Sequence, residues 1–336
     1  VEDNLFLLNY CINDCYKTNR ELFVTSIAFK KAFDSIKRSA LIDALKEYCI
    51  HPNIINAIYN IYQDDTTDLY INHEKIGDID ITSGIRQGCT GSTTLFKLVT
   101  YIIIKHLRKS NLGFRNNMFH IPLLFFADDG LILTNSVNEA KILINELHNI
   151  ASKCGLEINK LKSHILIFNR KQEIEQIENI EVVESIKYLG VIICDKKDCF
   201  LQQKEEIINK ANRLANLLPA IIYKSTNRLL IGKTFWKNVA LPRILFASTV
   251  IPLSQKLIDQ LQKIENKAYR LIFNASKFTP ISALRGEVGS SLMSSRIEKN
   301  KIVFIKHLIS SNNELLKSVS KHTTQQSKSP GARETR

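Results

Sequence analysis

The sequence predicts an α+β fold in which an antiparallel sheet packs on helices and a helical region follows. Up to about Cys194, short apolar strand patterns alternate with helical periodicity, whereas beyond Cys199 helical periodicity alone recurs. The chain has 336 residues, 44% of them hydrophobic, which is enough for a substantial buried core. The change of pattern predicts a first domain of residues 1–194 and a second that begins at residue 195.

The first part of the chain opens with apolar side chains at helical spacing, which suggests a fragment that starts inside a helix. An apolar run of strand length, Leu22 to Phe29, comes next. Alternating patterns on both sides of Asn72-His73-Glu74 predict a β-hairpin with strands Thr66 to Ile71 and Lys75 to Ile81. The helices predicted in this part are Arg38 to Tyr48, Asn53 to Tyr62 and, after the loop Ser83 to Gly91, Ser92 to Leu107.

A second predicted hairpin holds the acidic pair Asp128-Asp129 between the apolar runs Ile121 to Phe126 and Leu131 to Thr134. Because the pair separates two apolar strands, we expect both carboxylates at the tip of this hairpin. A helical pattern over Val137 to Cys154 follows and stops at Gly155. Two more strand patterns, Ser163 to Phe168 and Ile186 to Ile193, complete the predicted first domain.

Four helical patterns make up the predicted second domain, residues 195–319. They are Gln202 to Leu218, Asn227 to Leu241, Leu257 to Asn274, and Leu292 to Ile309. From Ser320 the chain is polar, so residues 320–336 are predicted to be a disordered tail.

The charge balance points to a polyanionic partner, because Lys and Arg outnumber Asp and Glu by 46 to 33 and give a net charge of +13. Nucleic acid and an anionic membrane surface both fit. The longest apolar stretches are shorter or more interrupted than the roughly 20 residues that cross a bilayer, and no signal-peptide pattern opens the chain. The odd number of cysteines, 7, without a framework spacing fits reduced thiols. We expect an intracellular protein, nuclear or cytoplasmic, that is neither secreted nor membrane-spanning.

The acidic pair is the strongest chemical feature of the sequence. Two adjacent carboxylates on a tight turn repel each other, so a cation is expected to stabilise them there. Magnesium prefers such hard oxygen ligands on rigid strands. An acidic pair is also a common solvated turn former, so Asp128 and Asp129 alone leave both interpretations open.

Four motifs, in order along the chain, resemble those of reverse transcriptases of non-LTR (LINE-like) retrotransposons. Phe126-Ala127-Asp128-Asp129 resembles the FADD box, and Ser83-Gly84-Ile85-Arg86-Gln87-Gly88 is similar to the SGxRQG loop. Gly155-Leu156-Glu157-Ile158-Asn159 with Lys162-Ser163 resembles the GLxINxxKT motif, and Tyr188-Leu189-Gly190 the YLG of the primer grip. The resemblance extends over about Asp3 to Leu308, and four motifs in family order are far more specific than any one of them.

The resemblance implies the right-hand fold of a polymerase. Residues 1–194 would form the palm with partial fingers, and residues 195–319 the helical thumb, while the fingers are largely missing. The implied activity is that of an RNA-directed DNA polymerase, a nucleotidyltransferase that uses two magnesium ions about 3.5–4 Å apart. Its implied partners are an RNA template, a DNA primer or duplex, and deoxynucleoside triphosphates.

The resemblance also implies individual roles, each with a plainer alternative. Asp128, Asp129 and the backbone carbonyl of Phe29 would hold metal, and Lys162 would protonate pyrophosphate unless it is simply a solvated lysine. Phe33 would exclude a 2′-hydroxyl, or else belong to the core. Arg86, Gln87 and Gly88 would contact template and nucleotide, with glycines that permit close approach, or else form an ordinary polar loop. Tyr188, Leu189 and Gly190 would hold the primer.

One departure from the family concerns the metal site. The family reads Asp-x-x-Lys-Ala-Phe-Asp where this chain reads Ala28-Phe29-Lys30-Lys31-Ala32-Phe33-Asp34. By the family's pattern the missing aspartate bridges both metals, and Ala28 offers no ligand oxygen. Asp34 lies where aspartate usually caps or turns the chain, so it is not expected to replace the lost ligand.

We therefore predict weakened magnesium binding and impaired polymerase activity. Ala28 fits either a decayed element copy or a deliberate inactivating substitution. Two other functional interpretations stay open: a non-catalytic module that binds a duplex without extending it, and a relic without a role. Six basic residues of the second domain would line a groove for duplex phosphates, or simply be solvated: Lys204, Lys210, Arg213, Lys224, Arg228 and Lys233.

Overall fold

The structure, a computed structural model, describes residues 1–63, 65–223 and 225–328. It divides into two compact units. Cys11–Leu189 form the sheet unit, whereas Val1–Tyr10 and the residues from Gly190 onward form the helical unit. The division lies slightly before the predicted boundary at residue 194. Residues 1–10 belong to the helical unit. Their helical sequence pattern does not predict which unit they join.

The sheet unit is built around a six-stranded sheet with the strand order β4-β5-β1-β6-β8-β7. Strand β1 lies between β5 and β6 and is antiparallel to both, while β6 and β8 run parallel. The prediction of an antiparallel sheet is therefore confirmed around β1. The strands are β1 (Leu22–Ile27), β4 (Leu123–Phe126), β5 (Asp129–Thr134), β6 (His164–Phe168), β7 (Gln176–Ile177) and β8 (Ile180–Val182).

A separate hairpin and six helices complete the sheet unit. The predicted hairpin is present as β2 (Thr66–Ile71) and β3 (Glu74–Asp80), and nearly all of its residues are exposed. Strand β9 (Ser185–Tyr188) ends the unit. The helices are α1 (Glu2–Lys17), which begins in the helical unit, α2 (Ala32–Ser35), α3 (Arg38–Glu47), α4 (Pro52–Tyr62), α5 (Ser92–Lys109) and α6 (Val137–Lys153).

The core of the sheet unit explains why its strands take this register. Side chains alternate between the two faces of a strand, so Phe23 and Ile27 of β1 share one face. Both belong to a buried cluster with Phe96 of α5 and Leu147 of α6. Burying a side chain of this size contributes about 1.5–3 kcal/mol, so this face fixes the register of β1.

In the described residues of the helical unit, β10 is the one strand and the other elements are helical, as the change of sequence pattern predicts. A buried carboxylate joins three of its elements: Glu265 of α10 accepts hydrogen bonds from Trp236 Nε1 (3.3 Å), Tyr269 Oη (2.8 Å) and Arg296 Nη1 (2.5 Å). Its elements are β10 (Val191–Cys194), α7 (Leu201–Ile222), α8 (Arg228–Phe235), a π-helical turn (Trp236–Ala240), α9 (Leu241–Ile244), α10 (Gln255–Phe273), α11 (Ile281–Val288), α12 (Met293–Ser310) and α13 (Glu314–Lys328).

Three predicted elements need correction. The strand predicted over Ile186 to Ile193 is divided into β9 and β10, because Leu189 and Gly190 both adopt positive φ. The helix predicted over Asn227 to Leu241 changes to a π-helical turn just before Pro242, which lacks a backbone N–H. Residues 320–328, predicted to be disordered, continue helix α13, and residues 329–336 lie outside the described part of the chain.

None of the helices within the described ranges is both long enough and apolar enough to span a lipid bilayer.

Two glycines of the sequence motifs, Gly84 and Gly155, lie very close to the backbone of residues 34–37, which follow β1. At Gly84, which has a φ of +91°, a Cβ would lie 2.8 Å from the Asp34 carbonyl oxygen. At Gly155, with a φ of +86°, a Cβ would overlap the Ser35 carbonyl oxygen and lie 2.8 Å from the Lys37 nitrogen. Both loops therefore hold helix α2 through backbone contacts that leave no room for a side chain.

We expect Gly155→Ala to destabilise the sheet unit much more than Gly88→Ala does. Both glycines have a φ of +86°, but a Cβ at Gly88 would meet nothing within 4 Å. Gly88→Ala should cost only about 1–2 kcal/mol for the left-handed backbone. Gly155→Ala adds a clash with backbone worth a further 1–3 kcal/mol or so. Urea unfolding of both variants measures the difference, and equal losses would show that the close contact at Gly155 is unimportant.

Candidate active site

The acidic pair lies at the tip of the β4–β5 hairpin, as predicted. Phe126 pairs with Asp129, so Ala127 and Asp128 form a two-residue turn. Ala127 has a φ of +54°, a strained conformation for a residue with a Cβ. Such strain persists only where the surrounding strands impose it. Both aspartates are exposed at this tip, where they can meet a ligand.

Strand β1 brings Ala28 next to this turn. The last residue of β1, Ile27, pairs with Gly130, so Ala28 continues the strand beside Asp129. The backbone of Ala28 is bound on its other side: its N–H donates to Ser163 Oγ (3.1 Å) and its carbonyl accepts from Asn159 N–H (2.8 Å). The predicted juxtaposition of position 28 and the acidic pair is therefore present in the fold.

The hydrogen bonds on either side of Phe29 indicate the direction of its backbone carbonyl. Phe29 forms an isolated antiparallel bridge with Ile158, flanked by the bonds that Ala28 and Lys30 make to Asn159 and Glu157. Backbone groups alternate sides along an extended strand, so the Phe29 carbonyl points to the opposite side, where β5 lies. This is the orientation that a backbone metal ligand at this position requires.

The site offers few protein ligands for a metal ion. Although Asp129 is exposed, partial desolvation of its carboxyl raises its pKa above the usual range, and the neighbouring charge of Asp128 raises it further. A bound cation would oppose both effects. No cluster of three or more His, Cys, Asp or Glu side chains suited to a metal occurs in the described ranges. Two carboxylates and one carbonyl are hard oxygen ligands of the kind that suit a divalent cation such as magnesium.

Two further predicted residues, Lys162 and Phe33, lie near residues of the site along the chain. Lys162 is exposed in the turn directly before Ser163, whose hydroxyl binds Ala28. Phe33 of α2 is half-buried and stacks on the buried Phe96, with ring centroids 4.5 Å apart. One face of the Phe33 ring therefore packs against the core, as the alternative role in the core requires. The ring is otherwise partly accessible.

The residues of the SGxRQG-like loop bind acidic side chains of the sheet unit. Arg86 pairs with Asp65 (2.7 Å), a buried carboxylate that also pairs with Arg38 (3.0 Å). Gln87 donates to Asp34 Oδ1 (2.8 Å). Gly88, in contrast, has open space around it. The contact with Gln87 shows that Asp34 anchors this loop.

The primer-grip motif is largely a structural turn. Tyr188 is buried, and its hydroxyl donates to the Leu124 carbonyl of β4 (3.2 Å). Leu189 is half-buried and Gly190 is exposed. Of the three residues predicted to hold the primer, Gly190 and part of Leu189 are therefore accessible, while Tyr188 positions the strand that leads to the acidic turn.

Three of the six basic residues predicted to line a phosphate groove have partners within the protein. Lys204 pairs with Asp198 and Arg213 with Glu206. Arg228 donates to the carbonyls of Leu271 and Ile272, and its side chain thereby satisfies carbonyls at the C-terminal end of α10. Lys233 and Lys210 remain half-exposed candidates, and Lys224 lies outside the described residues.

Three residues of the site were missed by sequence reasoning. Ser163 stood inside a recognised motif and could have been found there. Asp65 and Arg38 are far from Arg86 in sequence, so only the fold brings these charges together.

Comparison with known proteins identifies the fold's family. Residues 3–193, more than half of the chain, match the family described as Reverse transcriptase (RNA-dependent DNA polymerase). The chain belongs to the reverse transcriptase family. All four sequence motifs lie within the matched range of this reverse transcriptase domain.

Two curated relatives are retrotransposon proteins. The "Retrovirus-related Pol polyprotein from type-1 retrotransposable element R2" of Nasonia vitripennis is 27% identical over 207 residues, which cover 57% of this chain and 20% of that polyprotein. The protein of the same name from Bradysia coprophila is 24% identical over 255 residues, 69% of this chain and 29% of that polyprotein. The predicted reverse transcriptase domain of a non-LTR retrotransposon is thereby confirmed. The aligned part of the chain spans less than a third of either relative.

Among solved structures, apo telomerase from Candida tropicalis is similar to this chain. The match covers 95% of this chain and 56% of the telomerase chain, with 12% sequence identity and a TM-score of 0.45.

We expect Asp65→Asn to lower the melting temperature of the reverse transcriptase domain at neutral pH. The hydrogen bond from Arg86 holds the pKa of Asp65 below its usual range, despite burial. Stability from this carboxylate is thus fully present above the unfolded pKa of about 3.9 and is lost as pH falls through the lower folded value. Thermal unfolding from pH 3 to 8 should show the difference between wild type and variant shrink only below about pH 4.

Asp68→Asn is the matched control, because Asp68 makes an exposed ion pair with Lys75. Exposed pairs contribute little, so this variant should melt close to wild type. Equal losses for the two variants would refute a special role for Asp65.

Proposed function

We propose that the chain forms the palm and thumb of an RNA-directed DNA polymerase whose metal centre is incomplete, so that nucleotidyl transfer is impaired. The sheet unit corresponds to the palm and the helical unit to the thumb. The substrates of the intact activity would be an RNA template, a DNA primer and deoxynucleoside triphosphates, with magnesium as the metal. One observation carries the proposal: Ala28 continues β1 beside Asp129, where the family has an aspartate.

The local backbone supports a ligand position at residue 28. Both polar backbone groups of Ala28 bind the segment on the β6 side, so its position does not depend on the identity of its side chain. An aspartate there would add a third carboxylate to Asp128 and Asp129. Without it, the centre lacks the charge and the bridging oxygen that would hold two divalent ions together, and metal positioning supplies much of the rate enhancement in such reactions.

A second candidate function, binding of nucleic acid without catalysis, is favoured by the distribution of charge. The helical unit, residues 1–10 and 190–336, contains 25 Lys or Arg and 12 Asp or Glu, whereas the sheet unit, residues 11–189, contains 21 of each. The positive charge of the chain therefore resides in the helical unit. Such a surplus binds phosphate backbones in a salt-dependent way and needs no metal.

We expect Ala28→Asp to create a tighter divalent-metal site. The third carboxylate should strengthen Mn²⁺ binding, followed by electron paramagnetic resonance, by about tenfold or more, because affinity for hard cations rises with ligand charge. Ala28→Asn is the control: it has the same shape without the charge and should bind close to wild type. The same three proteins are then compared in magnesium-dependent primer extension on an RNA template, where Ala28→Asp should be the most active.

Two results would contradict the proposal. Vigorous primer extension by the unsubstituted chain would show that catalysis does not need a carboxylate at position 28. Identical Mn²⁺ affinities for Ala28→Asp and Ala28→Asn would show that position 28 does not face the metal site.

A further inference from the structure

The helical unit exposes two aromatic side chains to an unusual degree. Phe278 is 82% exposed and Tyr223 is 81% exposed, more than any other large aromatic side chain in the described ranges. Burying a phenyl group contributes about 1.5–3 kcal/mol, so a fold gains nothing by displaying one. Both residues lie in segments that connect helices, where binding residues are often presented.

The loop that carries Phe278 is ordered by hydrogen bonds. Arg270 of α10 donates to the carbonyls of Ser276 (3.3 Å) and Thr279 (2.8 Å). The Phe278 N–H donates to Ser276 Oγ (3.3 Å), and the Thr279 N–H to the Ser276 carbonyl (3.1 Å). The phenyl ring is thus displayed by a braced turn, which keeps the entropic cost of ligand binding low.

The two aromatic residues lie at the same end of the helix pair α7 and α10. Tyr223 directly follows α7, and the Phe278 loop directly follows α10. Between them, Arg228 at the start of α8 donates to the Leu271 and Ile272 carbonyls and so ties these ends together. We call this region, defined by Tyr223, Arg228 and the loop 275–280, the aromatic end.

The chain around the aromatic end is free of acidic residues. No Asp or Glu occurs between Glu206 and Asp259 or between Glu265 and Glu287. The ammonium group of Lys277 lies 5.0 Å from the centre of the Phe278 ring. Flat apolar faces in an acid-free, basic setting complement a ligand that combines planar rings with negative charge.

We propose that the aromatic end binds a single-stranded segment of nucleic acid, with unpaired bases stacked on Phe278 and Tyr223 and a phosphate facing Lys277. Stacking needs bases whose faces are free, so a fully paired duplex does not satisfy this surface. The site is separate from the metal centre. It rests on the second candidate function, nucleic-acid binding by the helical unit, and assigns residues and strand type to it.

The test is fluorescence anisotropy with a labelled 20-nucleotide RNA that cannot pair with itself. Phe278→Ala should weaken binding by roughly 5- to 100-fold, the range found when one stacked base loses its aromatic partner. Phe278→Tyr keeps the ring and should bind within about twofold of wild type. Ile309→Ala is the matched control, because Ile309 is also an exposed apolar residue of the helical unit, and it should leave binding unchanged.

A second oligonucleotide separates the contribution of base stacking from that of phosphate charge. An abasic strand of equal length keeps the phosphates and removes the rings, so wild type and Phe278→Ala should bind it equally. The dependence of affinity on salt should have the same slope for both proteins, since no phosphate contact is lost, whereas Lys277→Ala should reduce the slope by about one.

Several outcomes would overturn the proposal. Equal RNA binding by wild type and Phe278→Ala, or an equal loss on the abasic strand or on a blunt duplex, would exclude base stacking. If Phe278→Ala lost binding to phosphatidylcholine–phosphatidylserine vesicles but bound RNA like wild type, the aromatic end would be a membrane-binding surface instead. If the wild-type chain bound no nucleic acid at all, the second candidate function would fail together with this proposal. If the wild-type chain bound RNA and Phe278→Ala bound it equally well, only the proposal of base stacking would fail.

Discussion

Strand β1 pairs with β5 on one side and β6 on the other, and this double pairing sets the position of every candidate catalytic group. Its register is decided by apolar side chains, since a slip of one residue would turn Phe23 and Ile27 away from the buried cluster. With that register fixed, Ile27 meets Gly130 and the next residue must lie beside Asp129. The geometry of the site is therefore a consequence of core packing, and it persists with alanine at position 28.

The segment after β1 is held differently, through backbone contacts with two glycine loops. Gly84 and Gly155 approach helix α2 from distant parts of the chain, and neither position has room for a Cβ. In the family's pattern these glycines belong to loops that contact substrate, and here their immediate role is to position α2. Phe33 thereby keeps its stack on Phe96, and Asp34 meets Gln87. Two of the recognised motifs are thus joined into one arrangement before any ligand binds.

Local patterns in the sequence were enough to predict the hairpin that ends in Asp128 and Asp129, because apolar alternation and a tight turn are properties of neighbouring residues. Partners that come from distant segments were not predictable: Arg86 meets Asp65, and Arg228 donates to carbonyls at the end of helix α10. The burial of Tyr188 was missed because a strand pattern does not reveal which face meets the core. The break between β9 and β10 was missed because Leu189 adopts a positive φ that is unusual for a leucine.

The distribution of charge separates binding from chemistry along the chain. The sheet unit has 21 basic and 21 acidic residues, so a polyanionic substrate gains little attraction from it without a cation, whereas the helical unit carries a large basic surplus. Position 28 lies in the sheet unit, and replacing a carboxylate there removes negative charge without touching that basic surplus. Under the proposed function, a chain with Ala28 keeps its affinity for nucleic acid while nucleotidyl transfer is impaired, because the two properties depend on different units of the chain.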